Sequence, residues 1–421
     1  MDNRRTSADV VVFEYTGDGC SVPKDVTSVR LNDGLQKIGD YAFSRCKSLE
    51  SITLPSTLTE ICEFNSCINL REVIFNEGLQ TIGDCAFSNC KSLESITLPS
   101  TLVEIGKNAF SYCSNLREVL FNDGPQKIEN GTFYNCTSLE SIKLPSTLTE
   151  IGIDAFKCCS SLREVTLNDG LQKIGAGAFF KCRSLERIVL PSTVVEIGYS
   201  AFANCSNLRE VTFNEGLQKI EYTAFSKCRS LERIILPSTV TEIGNSAFNS
   251  CRNLREVTFN DGLQKIGGYA FYNCTSLQNV KLPSTVTEIG ESAFRDCSNL
   301  KEVTLNEGLQ KIRVESFYHC SSLKSITLPS TVIDIEVNAF KRCSNLREVT
   351  FNEGLQKIGD YAFCNCLSLE RIKLPSTVVE IGENAFHSCY NLREVTFNEG
   401  LEKIGDGAFG GTSLHFTIAN H

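Results

Sequence analysis

Tryptophan is absent from the 421 residues, methionine occurs once, and histidine is limited to His319, His387, His415 and His421. None of these histidines sits in a recognisable triad or in an HExxH pattern, so neither nucleophilic nor zinc-dependent hydrolysis finds its usual residues. The ten prolines make no linker, because eight of them recur inside the same tetrapeptide, LPST. Long apolar runs are also missing. The run nearest the N-terminus, Val10 to Phe13, is shorter than the roughly 7 to 15 residues of a signal-peptide core, and nothing approaches a membrane-spanning length. This reading expects a soluble, cytoplasmic protein without membrane insertion; a cell-surface or secreted protein whose true signal peptide is missing is the alternative. No excess of positive charge exists either. A net charge of -9 gives no steering toward nucleic acid.

What is abundant is repetition. From Cys67 to Cys389 a cysteine falls every 23 residues, fifteen in succession, each within a near-copy of AFxxCxxLxx(I/V)x(L/F). Such self-similarity overrides the length-based expectation of several domains and predicts one solenoid. Two kinds of coil alternate, giving a full period of 46. One opens with FNEG or LNDG, at Leu31, Phe75, Phe121 and onward to Phe397; the other opens with LPST, from Leu54 to Leu374. Together they make about 17 coils over residues 31–409. Residues 1–30 are read as an N-terminal cap leading into the first strand, and 410–421 as a C-terminal cap. The coil at 54–74 has lost two residues, where ICEFNSC replaces IGxxAFxxC, which predicts a shortened outer turn.

Within a coil, SLESITLP has the spacing of a short strand with Ile52 and Leu54 inward and Ser51 and Thr53 outward, so stacked coils should form a parallel sheet. NDG and PST then turn the chain off the sheet, the glycine through positive φ and the proline by withholding a ladder donor. The segment GDYAFSRC offers enough small and polar residues for one helical turn on the outer face. Its phenylalanine recurs in all seventeen coils, Phe43 to Phe409, and predicts a stacked aromatic core. The glycine after Ile38 is replaced by Cys62, Glu129, Glu221, Arg313 and Glu336 in equivalent coils, so positive φ is not required there and the position should be exposed.

The unit LPSTVTEIGxxAFxxCxxLxxV resembles the 23-residue leucine-rich repeat of the BspA-type surface-antigen family, over about 390 residues. That resemblance implies an α/β solenoid: a right-handed leucine-rich repeat superhelix with a parallel sheet on the concave face and short helical turns on the convex face. It implies a non-catalytic scaffold that binds a protein or peptide on its concave sheet, without cofactor or catalytic residue. A surface adhesin is the alternative, and a surface-binding solenoid of the ice-binding kind, using its threonine rows, a remote one. The commoner leucine-rich pattern carries an asparagine ladder just after the strand; here that stretch reads NDGL or PSTV.

The 21 cysteines divide into sixteen in register and five outside it, Cys20, Cys62, Cys85, Cys158 and Cys364. An odd total, a large core and no secretory signal favour reduced thiols acting as small buried hydrophobes over disulfides or zinc. Acidic turn residues such as Asp33, Glu77, Asp123 and Asp169 recur on every second coil, roughly 10 Å apart at about 4.8 Å per coil, too far to share calcium. No metal site is expected.

Charge follows the 46-residue period. One column runs Lys37, Glu60, Thr81, Glu104, Lys127, Glu150 and onward to Lys403; a second runs Glu50, Arg71, Glu94, Arg117 and onward to Arg255. Alternating signs on adjacent coils attract in register and repel after a one-coil slip. Function is sought where this order breaks. The outward strand position, usually threonine, becomes Ile74, Leu120, Val189 and Ile235, with Arg187 and Arg233 beside the last two, and these are candidate contact residues. The second column loses its alternation at Gln278, Lys301, Lys324 and Arg347, and with Arg313, His319, Lys341 and Arg342 this makes a candidate basic region.

Overall fold

The computed structural model describes residues 12–17, 20–39 and 41–414, so Val10, Val11, His415, Phe416 and His421 lie outside the described residues. The chain forms two compact units, Met1–Val194 and Val195–His421. Each is a parallel β-solenoid of stacked coils.

In the first unit, Val12–Tyr15 pairs in parallel with Ser28–Leu31, then Ser51–Thr53 and Glu72–Ile74 follow in the same sheet. Tyr15 is buried with its ring 5.1 Å from Phe43, and its hydroxyl accepts the Gly39 N–H at 2.9 Å, which ties this leading strand onto the first coil. Further along, Ser95–Leu98 pairs with Glu118–Phe121 and Ser141–Lys143 with Glu164–Thr166. The second unit repeats the arrangement, for example Arg233–Ile235 with Glu256–Thr258 and Ser325–Thr327 with Glu348–Thr350. Ile52, Ile234 and Ile326 point inward as the two-residue alternation requires, and their flanking residues are exposed.

A second, narrower sheet was not legible in the sequence. Two-residue strands such as Lys127–Ile128, Glu150–Ile151 and Lys173–Ile174 pair in parallel in the first unit, and in the second a run of four from Lys219–Ile220 to Glu288–Ile289 and a run of five from Lys311–Ile312 to Lys403–Ile404. Their inner isoleucines are buried, apart from Ile404 in the last coil.

The outer turns correct the expectation of helical turns. No helix occurs among the described residues. In most coils two residues, two before and two after the phenylalanine, take left-handed φ, as in Tyr269 (56°) and Asn273 (59°), or Ser292 (53°) and Asp296 (60°). A single left-handed residue breaks the run of α dihedrals a helix needs. Backbone groups bond to the next coil instead: the N–H groups of Tyr269, Phe271 and Asn273 donate to the carbonyls of Glu291, Ala293 and Arg295, each at 2.8 Å. These bonds offset the roughly 1 to 3 kcal/mol that a non-glycine residue in this region costs. The shortened coil at 54–74 keeps only Ser66 (60°) in this conformation.

The recurring phenylalanines and cysteines meet at this turn. Phe225, Phe248 and Phe271 are fully buried and stack with centroids 5.6 and 5.4 Å apart. From the second coil on, ladder thiols donate to the phenylalanine carbonyl of the preceding coil, as in Cys113 to Phe87 at 3.1 Å, Cys251 to Phe225 and Cys274 to Phe248 at 3.2 Å. That carbonyl already accepts the cysteine N–H of its own coil, so the thiol fills its second acceptor site. A side chain smaller than valine with one weak donor suits the place, which is why cysteine recurs there.

A polar ladder absent from the sequence-level reading runs just after the strand. Asn76 donates to the Pro55 carbonyl at 2.7 Å and Asn260 to Val240 at 3.0 Å; on alternate coils Thr57 donates to Leu35 at 2.6 Å and Thr239 to Leu217 at 2.7 Å. Asparagine and threonine therefore share the task that asparagine alone performs in the commoner pattern. The turn glycine needs positive φ in some coils, as in Gly216 (130°) and Gly354 (125°), but not in all.

The glycine following the inner isoleucine is not exposed, contrary to the expectation. Gly106, Gly175, Gly267 and Gly382 are buried, because at this point consecutive backbones nearly touch. A Cβ on Gly267 would lie 2.6 Å from the Asn245 nitrogen and 2.7 Å from the Gly244 carbonyl carbon. The approach is as close above coils that carry glutamate, where a Cβ on Gly152 would lie 2.7 Å from the Glu129 carbonyl carbon. Gly267→Ala is expected to lower stability by about 1 to 3 kcal/mol, measured as a fall in the urea midpoint. An unchanged midpoint would show that the coils can part at no cost.

Candidate partner-binding surfaces

Most polar groups on the coils are already engaged. On the narrow sheet, register places opposite charges side by side, Lys219 against Glu242, Lys311 against Asp334 and Lys357 against Glu380. The corresponding ion pairs measure 3.6, 3.9 and 3.2 Å, and Lys403 adds 3.0 Å to Glu380. Lys403 and Lys357 hold the Glu380 carboxyl below the usual carboxylate range. Each exposed pair contributes about 0.2 to 1 kcal/mol and also opposes slippage. Acidic turn residues are occupied too: Glu215, Glu307 and Glu353 accept the serine hydroxyls of Ser238, Ser330 and Ser376 at 2.7 to 2.8 Å. No group of three or more histidine, cysteine or acidic residues is arranged to hold a metal ion among the described residues.

The ladder thiols are likewise withdrawn. Burial pushes Cys113, Cys251 and Cys343 up to about 12, so they stay protonated at neutral pH. Off the ladder the thiols differ in access: Cys85 is exposed, and Cys20, Cys62 and Cys158 are partly so, whereas Cys364 is buried.

The candidate contact residues Ile74, Leu120 and Val189 lie on the exposed sheet face of the first unit, and Ile235 on that of the second. About half of each side chain faces solvent. Ile74 and Leu120 are separated by the coil of Thr97, which pairs with Leu120, so they form no continuous apolar surface. Arg187 stands in the same strand as Val189. Ile235 has richer surroundings. It lies in a trough of about 1080 Å³ with Arg209, Arg233, Glu232, Arg255 and Lys281 among the lining side chains. Arg233 pairs with Glu256 at 3.1 Å across the sheet. The trough itself was not visible in the sequence, since it depends on which outward side chains of four successive coils converge.

The basic candidates separate into three places. Lys301, Lys324 and Arg347 occupy one column at the edge of the sheet-face strands, joined by backbone bonds from Lys324 N–H to Lys301 and from Arg347 N–H to Lys324. All three are exposed, and no ion pair within 4.0 Å forms at any of them among the described residues. Like charges about 5 Å apart in water repel by roughly 0.8 kcal/mol, so this column lacks the compensation found elsewhere. Arg313 lies instead beside the narrow sheet, paired with Glu336 at 3.2 Å. His319, Lys341 and Arg342 lie on the outer turns, among aromatic rings. His319 Nδ1 is 2.8 Å from Asp296, the Lys341 ammonium is 4.6 Å from the Tyr361 ring centre, and the Arg342 guanidinium is 5.8 Å from that of Tyr318. His319 and Arg342 also line a hollow of about 320 Å³ with Ser344, Asn365 and Leu367.

No helix of the described residues is long and apolar enough to cross a membrane. Comparison with known proteins agrees with the architecture. A leucine-rich repeat protein from Bacteroides ovatus ATCC 8483 is 30% identical with a TM-score of 0.67, covering 86% of this chain and 84% of that one. A leucine-rich cell surface protein from Faecalibacterium prausnitzii A2-165 is 27% identical with a TM-score of 0.46, covering 85% and 89%. No curated protein matches the chain. The family model described as BspA type leucine-rich repeat region (6 copies) matches residues 20–136, 126–248, 218–329 and 310–420. Coils of this length, stacked in parallel and matched from residue 20 to residue 420, establish that the chain belongs to the BspA-type leucine-rich repeat family.

Proposed function

We propose that the protein is a non-catalytic recognition scaffold that binds a protein or peptide segment on the exposed sheet face of its second unit. The observation that carries this reading is the trough around Ile235, where an exposed aliphatic side chain sits among arginines and glutamates. Apolar anchors ringed by arginine are the usual composition of binding hot spots. The backbone beneath is held by two sheets and a turn ladder, so a partner would meet a surface that needs little ordering. Free thiols on exposed or half-exposed residues, Cys62 and Cys85 among them, suit a reducing compartment, and we place the protein there.

Selection of a displayed random-peptide library against the immobilised protein tests it. Clones are expected that bind the wild type and weaken about tenfold or more on Ile235→Asp, while Ile74→Asp leaves them unchanged. A selection that returns no clones, or clones indifferent to Ile235→Asp, would overturn the assignment of this face.

A further inference from the structure

Resting on that reading, we propose that the segment bound in the trough is acidic, and that Lys301, Lys324 and Arg347 are its electrostatic contacts. The trough ends at Gln278, Asn279 and Lys281, and the Lys301 N–H donates to the Gln278 carbonyl at 2.8 Å, so the cation column begins on the coil where the trough stops. Ile235 and Lys301 are three coils apart, about 14 Å at 4.8 Å per coil, which four or five extended residues span. Anchor and cations are thus within reach of one short linear segment.

The charge pattern names the partner. In the column that holds Lys301, signs alternate from Glu50 to Arg255, Gln278 is neutral, and the next three coils are all cationic. The chain as a whole is acidic, at -9, so general electrostatics do not supply this cluster. Glu302 and Glu348 lie beside the column and Glu370 follows Arg347 in it, but none of them makes an ion pair with the three cations within 4.0 Å among the described residues, so these cations keep their donors for a ligand. On the strands that follow the cations the outward residues are Glu302 and Thr304, Ser325 and Thr327, and Glu348 and Thr350, and the threonine row leaves room for a backbone to lie across the coils. A carboxylate-bearing peptide relieves the mutual repulsion of the three cations on binding, whereas a basic peptide adds to it. Arg313, His319, Lys341 and Arg342 are not part of this surface.

Two fluorescein-labelled peptides test the inference, each with a Leu-Phe centre flanked on both sides by a glycine pair, then by a run of glutamates in one and of lysines in the other. The glutamate peptide is expected to bind the intact protein about tenfold or more tightly by fluorescence anisotropy, and to weaken as salt rises through the range where the Debye length falls below about 10 Å. In the triple variant Lys301→Glu, Lys324→Glu, Arg347→Glu the preference should reverse toward the lysine peptide. These side chains are exposed, and unchanged circular dichroism confirms that the variant folds. Equal binding of the two peptides that is weakened by Ile235→Asp overturns the acidic assignment and leaves the scaffold reading standing. An acidic preference that survives the triple reversal overturns the assignment of the column, and no binding of either peptide overturns both readings.

Discussion

Raising the pH from 9 toward 11 is expected to unfold the protein, through its buried cysteines. In the second unit Cys251, Cys343 and Cys389 are pushed up to about 12 chiefly by burial, and Cys228, Cys274, Cys320 and Cys366 are raised well above the ordinary thiol value for the same reason, with neighbouring thiols adding to it. Well below pH 9, the ordinary thiol value, both folded and unfolded chains keep these protons, and the thiols impose no pH dependence. Above pH 9 the unfolded chain releases them while the folded chain does not, so stability is lost as pH climbs from 9 toward 12. Each thiol removes up to about 1.4 kcal/mol per pH unit in that window. Seven such groups remove roughly 7 kcal/mol between pH 9 and 10 and more beyond, which is comparable with the whole stability of a domain. Circular dichroism against pH should show a steep cooperative loss between pH 9 and 11. Cys274→Ala with Cys320→Ala should make the dependence shallower by the share of two thiols, whatever its effect at neutral pH. A slope unchanged by these substitutions would assign the alkaline loss to other groups.

Phe248→Ala is expected to cost about 3 to 5 kcal/mol, the range for emptying a fully buried aromatic site. The ring has Phe225 on one side and Phe271 on the other, and the thiol of Cys274 bonds to the carbonyl of the same residue, so neighbouring coils cannot close the cavity without breaking their own ladders. In a stack where each coil contacts only its neighbours, such a loss also weakens the coupling between the coils above and below. Urea unfolding should therefore shift to lower midpoint and broaden, with the apparent m-value reduced as the two sides separate. Phe248→Leu, which retains most of the volume, should cost less than half as much. A loss under about 1 kcal/mol for the alanine variant would show that the aromatic column is not a continuous core.

Much of the coil was legible because its causes are local or strictly periodic. The strand at Ser51–Thr53 follows from two-residue alternation, and the aromatic column from a phenylalanine that never leaves its place. The charge columns were readable as ladders because signs alternate with the coil number, and register then set Lys311 opposite Asp334 as expected. The outer turn was not legible because left-handed φ falls mostly on residues such as Tyr, Asn, Ser, Asp, Cys, Lys and Glu and on glycine only in a few coils, as at Gly131, Gly177 and Gly407, so composition carried little signal of it. Its hydrogen bonds run to the next coil, which local sequence cannot show. For the same reason Asn76 and Thr57 read as turn residues until their partners 20 or so positions back came into view.

For the candidate site the division is similar. Sequence marked Ile235, Arg233, Lys301, Lys324 and Arg347 as departures from the repeat, because a departure is visible against sixteen near-copies. It could not say that Arg313 would be drawn to Glu336, or His319 to Asp296, and so leave the sheet face. Nor could it say that Ile235 would share a trough with Arg209 and Lys281. Repeat length, the inward residues and the pairing of charges were determined by the sequence alone, since each is imposed on every coil by burial and by the coil beside it. The turn conformation, the close approach at Gly267 and the convergence of contact residues were decided only by tertiary structure, because each depends on distances between coils that no single coil contains.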